Sequence, residues 1–247
     1  MSLSAKPIPP RDRLIVALDF PSHQEAKNLV ETLGEEVTFY KIGLELFMAG
    51  DYFALIDWLR QQDKKIFADL KFYDIPATVE RAVRALSRTG VQFATVHGEQ
   101  AIMEAAAQGK GGALKMLAVT VLTSIDDRTL HQMGYRGNVQ SLVLQRSEQA
   151  VEAGLDGVIA SGQEAASIRK VIGEPPLIVS PGVRPEGNPA NDQKRVVTVE
   201  QAFCNGVDHI VVGRPIRDAP DPKAVAAAIQ NCILELFESR QPKERAR

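Results

Sequence analysis

Short apolar, β-branched runs recur along this chain, and each is followed by a segment whose apolar positions return every three or four residues. The runs fall near 14–19, 38–42, 65–71, 92–97, 114–122, 157–160, 177–180 and 209–213. Their length and composition predict strands, while the periodicity between them predicts helices, among others over 24–33, 53–61, 78–87, 139–151 and 223–237. Two helix starts carry their own chemistry: Asp74-Ile75-Pro76 sets a proline in a first turn, and Asp221-Pro222 pairs a capping carboxylate with a proline behind it. Eight alternations without a linker or composition break predict an α/β protein, a single closed (β/α)8 TIM barrel over 1–247 rather than an open doubly wound sheet. Residues 1–12 read as an N-terminal extension and 239–247 as a mobile tail.

The length of 247 residues suits one such barrel, and 45% hydrophobic with 24% charged residues is ordinary for a globular enzyme. A formal net charge of −2 excludes bulk attraction to nucleic acid or an anionic membrane. An anionic substrate must therefore be held by locally placed cations. The cysteines, Cys204 and Cys232, form neither a C-x-x-C nor a metal-ligand spacing, and read as buried thiols in a reducing cytosol. No apolar signal region opens the chain, and the run 14–18 is too short to span a bilayer. A cytoplasmic enzyme is the expectation.

In a barrel of this kind, chemistry gathers at the C-terminal ends of the strands. Polar residues that end apolar runs are therefore the candidates: Asp19, Lys41, Asp69, Lys71, His97, Thr123, Ser124, Gly213 and Arg214. The strongest local signal is Asp69-Leu-Lys71-Phe-Tyr-Asp74. Strand alternation sends Asp69 and Lys71 to one face and Ala68, Leu70 and Phe72 to the other. A D-x-K pair is commonly a solvated ion pair. Lys41 and Asp19 arriving at the same rim turn this one toward a site. His97 reads as a hydrogen-bonded structural histidine, the other three histidines as surface or supporting residues, and Trp58 as core.

The longest irregular stretch, 181–195, follows the seventh strand and is rich in Pro, Gly and Asn. Long loops in barrels are commonly lids or phosphate clamps. Arg184 lies in it, and Gly213-Arg214 leaves the eighth strand, where a glycine lets backbone amides approach an anion and arginine offers a fork of donors. Loops seven and eight are the usual phosphate site of the fold.

Together these residues resemble the bacterial orotidine 5'-monophosphate decarboxylases over nearly the whole chain. The matching pieces are VALDF at 16–20, FYKIGLELF at 39–47, FADLKFYDIPATV at 67–79, VTVLTS at 119–124, PGVRP at 181–185, Asp192-Gln193 and VVGRPI at 211–216. The D-x-K-x-x-D core is shared by a wider superfamily, but the set in this order is specific. Two departures stand out: Ala77 where an Asn is usual, and VHGEQ at 96–100 where the family is glycine-rich.

The resemblance implies a cofactor-free, metal-free decarboxylation of orotidine 5'-monophosphate to UMP and carbon dioxide, with Lys71 protonating C6. It implies an alternating charge network of Lys41, Asp69, Lys71 and Asp74. Asp74 and Thr78 would enter the partner's active site in a homodimer, with Ile75 beside them among the substrate-binding residues. Asp19 and Lys41 would bind the ribose hydroxyls, Thr123 and Ser124 the pyrimidine, and Arg184, Gly213 and Arg214 the phosphate, with Gln193 closing over phosphate and base. The nearest alternative is a Mg2+-dependent sugar-phosphate decarboxylase or synthase of the same superfamily, in which an acidic residue ends the second strand where Lys41 stands here. A non-catalytic nucleotide-binding barrel would keep the arginines but not require the Lys–Asp alternation.

Overall fold

The computed structural model describes residues 3–184 and 195–238. Eight strands form one closed parallel barrel in sequence order: β1 Leu14–Ala17, β2 Phe39–Gly43, β3 Lys65–Phe72, β4 Phe93–His97, β5 Lys115–Val119, β6 Gly157–Ile159, β7 Leu177–Ser180 and β8 His209–Val212. All eight predicted runs are strands, and closure of β1 on β8 through Leu14 opposite Ile210 removes the exposed edges of an open sheet. The helices fall as the periodicity predicts, including Pro76–Leu86, Val139–Glu152 and Pro222–Glu238. Pro76 opens its helix behind Ile75, and the Asp221 carboxylate accepts the Ala224 amide at 3.0 Å.

Strand alternation divides the core in two. Ile15, Ala17, Phe39, Phe67, Phe93, Leu117, Leu177, Val179 and Val211 fill the barrel itself. Their neighbours of opposite parity, such as Val16, Tyr40, Ile42, Ala68, Ala94 and Val96, pack beneath the helices. The same parity carries on upward, so that Lys41 continues from Phe39 and Asp69 from Phe67 toward the C-terminal mouth. Trp58, read as core, packs only half-buried against the outer layer.

The segment read as an extension closes the barrel floor. Ile8 packs on the inner cluster. The Ser4 hydroxyl and the Lys6 ammonium meet the fully buried Asp208 carboxylate at 2.5 and 3.0 Å. Arg169 reaches the other oxygen at 2.6 Å, and the Ile178 amide donates to it at 2.8 Å. His209 corrects the surface or supporting reading. It is 4% exposed, lies edge-on to Phe39 and Phe93, and shares a 2.8 Å hydrogen bond with the Asp12 carbonyl. Burial pushes its pKa down to about 4, which keeps the ring neutral. The cysteines are both free, and half-buried rather than buried as expected. The tail at 239–247 lies outside the described residues.

Candidate active site

Polar side chains converge at the barrel mouth around a cavity of about 400 Å³. Its wall includes Asp19, Lys41, Lys71, Thr123, Ser124, Arg184, Gly213 and Arg214, all expected from the sequence. Ala17, Val119, Ile159 and Val211 supply an apolar base. An anionic head with a flat apolar body would suit such a lining.

The charges form a chain. The Lys41 ammonium lies 2.8 Å from the Asp19 carboxylate and 3.5 Å from Asp69, and Lys71 lies 2.8 Å from the same Asp69 oxygen. Burial alone would lower the Lys41 pKa, but Asp69 and Asp19 outweigh it and hold the ammonium above its ordinary range. Burial alone would raise Asp69, and Lys41 and Lys71 instead hold it below the usual carboxylate range. Lys41 and Asp69 are therefore both charged at neutral pH. Asp69 is recessed, with 12% of its side chain exposed, whereas Lys71 keeps 36% and faces the cavity.

Alternation alone does not account for Lys71. The β3–β4 register shifts between Ala68 and Phe72, so residues 69–71 face Thr95 alone. Lys71 takes a left-handed φ of 48° within this bulge. Its ammonium is thus aimed by a local departure from the pleat. Thr95, fully buried on β4, was not among the candidates, although its inward parity between Phe93 and His97 was a readable signal.

Three of the four expected charges meet in one chain. Asp74 does not join them: it is exposed, and one carboxylate oxygen accepts the Ile75 amide at 2.6 Å. With Thr78 it lines a neighbouring hollow formed with Leu44, Phe47, Leu70 and Tyr73. Ile75 stands 68% exposed at the start of the helix. Gln193 lies outside the described residues.

The ends of the seventh loop are tied in place. Val183 pairs with Val197, and the Arg184 amide donates to the Val197 carbonyl at 3.0 Å. Arg184 is 6% exposed. Arg195 pairs with Glu164 and donates to the Leu122 carbonyl at 2.9 Å, bracing the backbone that leads to Thr123. Arg217, also missed from sequence, lines the cavity and donates to the Asp19 carbonyl at 2.6 Å.

His97 stays a neighbour of the site. Its ring stacks on Tyr73 at 4.4 Å, and burial and the Arg146 charge lower its pKa. Gly98 has a packing reason: a Cβ there would meet the Val119 carbonyl at 2.6 Å. Among the described residues, no group of three His, Cys, Asp or Glu side chains could hold a metal ion.

Fold and mouth together define an enzyme barrel that sets a lysine–carboxylate chain beside an arginine-lined cleft. The chain belongs to the Orotidine 5'-phosphate decarboxylase / HUMPS family, whose model matches residues 12–229. It is 60% identical over 236 residues to the orotidine 5'-phosphate decarboxylase of Methylococcus capsulatus, covering 95% of this chain and 97% of that protein. It is 52% identical over 235 residues to the orotidine 5'-phosphate decarboxylase of Xanthomonas oryzae pv. oryzae, covering 95% and 97%. The crystal structure of orotidine 5'-phosphate decarboxylase from Lactobacillus acidophilus superposes with a TM-score of 0.79 at 36% identity, over 89% of this chain and 98% of that one.

Proposed function

We propose that this chain decarboxylates orotidine 5'-monophosphate to UMP and carbon dioxide, a step of pyrimidine biosynthesis, without a cofactor. The observation that carries the reading is the Lys41–Asp69–Lys71 chain beside a cavity that Lys41 and Lys71 line together with Arg184 and Arg214. The arginines and the Gly213 turn take the phosphate. Asp19 and Lys41 take the ribose hydroxyls, and Thr123 and Ser124 the pyrimidine. Lys71 then faces C6.

Loss of carbon dioxide leaves an electron pair at C6. An ammonium beside it both stabilises the developing charge and supplies the proton. Repulsion between Asp69 and the leaving carboxylate is a smaller effect. At ~4 Å and an effective dielectric of ~20 it amounts to about 4 kcal/mol, or about three decades in rate. Even that is an upper value here, because Lys41 and Lys71 lie 3.5 and 2.8 Å from the same Asp69 oxygen and offset its charge. Stabilisation by Lys71, driven by binding energy from the remote phosphate, supplies most of the acceleration.

A Mg2+-dependent reaction at this place is disfavoured by charge. The carboxylates that a hard cation would need already meet the Lys41 ammonium, 2.8 Å from Asp19 and 3.5 Å from Asp69.

The working unit on this reading is a homodimer. Asp74 does not line its own barrel's cavity and stands beside an exposed apolar surface that includes Leu44 at 57%, Phe47 at 42% and Tyr73 at 62% exposure. A second copy would cover that surface and receive Asp74 and Thr78 at its mouth. The described residues contain no helix long and apolar enough to cross a membrane. Two free thiols suit a reducing compartment, and so the cytoplasm.

The test is the ultraviolet absorbance of orotidine 5'-monophosphate on mixing with the protein in EDTA. The absorbance is expected to fall. A fall that required added Mg2+ would move the chain to the sugar-phosphate reading, and binding without change would leave a non-catalytic barrel.

A further inference from the structure

Thr95 sits at the point where β3 leaves its ladder. The bulge leaves the Lys71 amide without the strand carbonyl that an unbroken parallel ladder would supply. The Thr95 hydroxyl takes that role, accepting the Lys71 N–H at 2.9 Å. The same hydroxyl donates to the Asp69 Oδ1 at 2.9 Å. Its single proton and one lone pair are thus both committed, to the two residues whose relative placement the chemistry needs.

Both partners depend on this contact. Lys71 is a non-glycine residue at φ 48°, a backbone state that persists only where surrounding contacts fix it. Asp69 has its other oxygen held by Lys71 at 2.8 Å and Lys41 at 3.5 Å, so Thr95 on Oδ1 completes the set of contacts that fixes the rotation of the carboxylate about its Cβ–Cγ bond. Thr95 is 0% exposed and is not on the cavity wall, so it acts through these two side chains and not on substrate.

We propose that Thr95 is a positioning residue for the decarboxylation. Its hydroxyl locks the left-handed Lys71 backbone and the Asp69 carboxylate into one rigid unit, so that the Lys71 ammonium is held on target before substrate arrives. The inference rests on the reading of Lys71 as proton donor.

Thr95→Ser and Thr95→Ala separate hydroxyl from packing, because both delete the same methyl group and only one keeps the hydroxyl. Thr95→Ser is expected to stay within about 3-fold of the parent kcat, and Thr95→Ala to lose about 30-fold, the order expected for one hydrogen bond to a charged group. UMP affinity should change by less than about 3-fold in both, since phosphate and ribose contacts are untouched. Equal kcat in the two variants would overturn the inference. So would a kcat loss in Thr95→Ala matched by an equal loss of UMP affinity or of folded protein by circular dichroism. Failure of the parent protein to turn over orotidine 5'-monophosphate would instead strike the functional reading itself.

Discussion

The two ends of this barrel each bury a carboxylate among cations, yet they are built to opposite purposes. At the floor, Asp208 is fully buried and receives Ser4, Lys6, Arg169 and the Ile178 amide, all from its own chain. At the mouth, Asp69 also lies below the usual carboxylate range, but its lysine partner Lys71 keeps a third of its surface open to a cavity. The floor network is complete within one chain. The mouth has three of its four expected charges joined, and the fourth, Asp74, points elsewhere. A shifted carboxylate therefore does not by itself mark a site. What marks it is a charge network left open toward space that a ligand can fill, on the face where barrels do chemistry.

The sharpest way to break this comparison is to remove one charge from each end. Lys71→Ala should lower kcat by more than a thousandfold, on the order of 4 kcal/mol of barrier, with UMP binding and melting temperature little changed. More than about a tenth of parental activity remaining would remove Lys71 as proton donor.

Asp208→Ala should do the reverse. Stranding Arg169 and Lys6 around an empty position should cost about 3–5 kcal/mol of stability, read by denaturant melts, with activity per folded molecule preserved. The gap between parent and variant should also depend on pH. Burial works to raise the Asp208 carboxyl, but Arg169, Ser4 and Lys6 outweigh it and hold its folded pKa below the ordinary value. Its contribution is therefore fully present above the unfolded value of about 3.9 and fades as pH falls through the lower folded value. A gap that widened in acid would mean that the network is not what holds the floor.

A smaller effect belongs to Arg214. Arg214→Ala should lower kcat/KM for the phosphorylated substrate by about 10–100-fold, the worth of one charge-assisted pair, while leaving the unphosphorylated nucleoside unchanged. Equal losses for both would make Arg214 a structural residue.

Much of this was legible in the sequence because strand parity is a strict code. Phe39-Lys41 and Phe67-Asp69 each run from core to mouth on one face, and the eight apolar runs announce the barrel. The same code places His209 inside, two residues before the inward Val211, against its reading as a surface or supporting residue. Other features leave no periodic trace. The bulge at 69–71 and the φ of Lys71 arise from tertiary register between β3 and β4, so the inward parity of Thr95 was legible but its bonds to Lys71 and Asp69 were not. The floor closure by Ser4, Lys6 and Ile8 depends on a proline-rich segment folding back to β8, more than two hundred residues away for the pair of Ser4 and Asp208.

On the proposed homodimer the mouth, unlike the floor, is completed by a second chain. Asp74→Ala and Lys71→Ala, each nearly inactive alone, provide the direct measurement when mixed and allowed to exchange subunits. If Asp74 serves the partner's site, each mixed dimer carries one doubly damaged site and one intact site. With half the dimers mixed at random, activity should return to about a quarter of the parent value. No recovery, with exchange verified by native mass spectrometry, would contradict the account and return Asp74 to its own barrel.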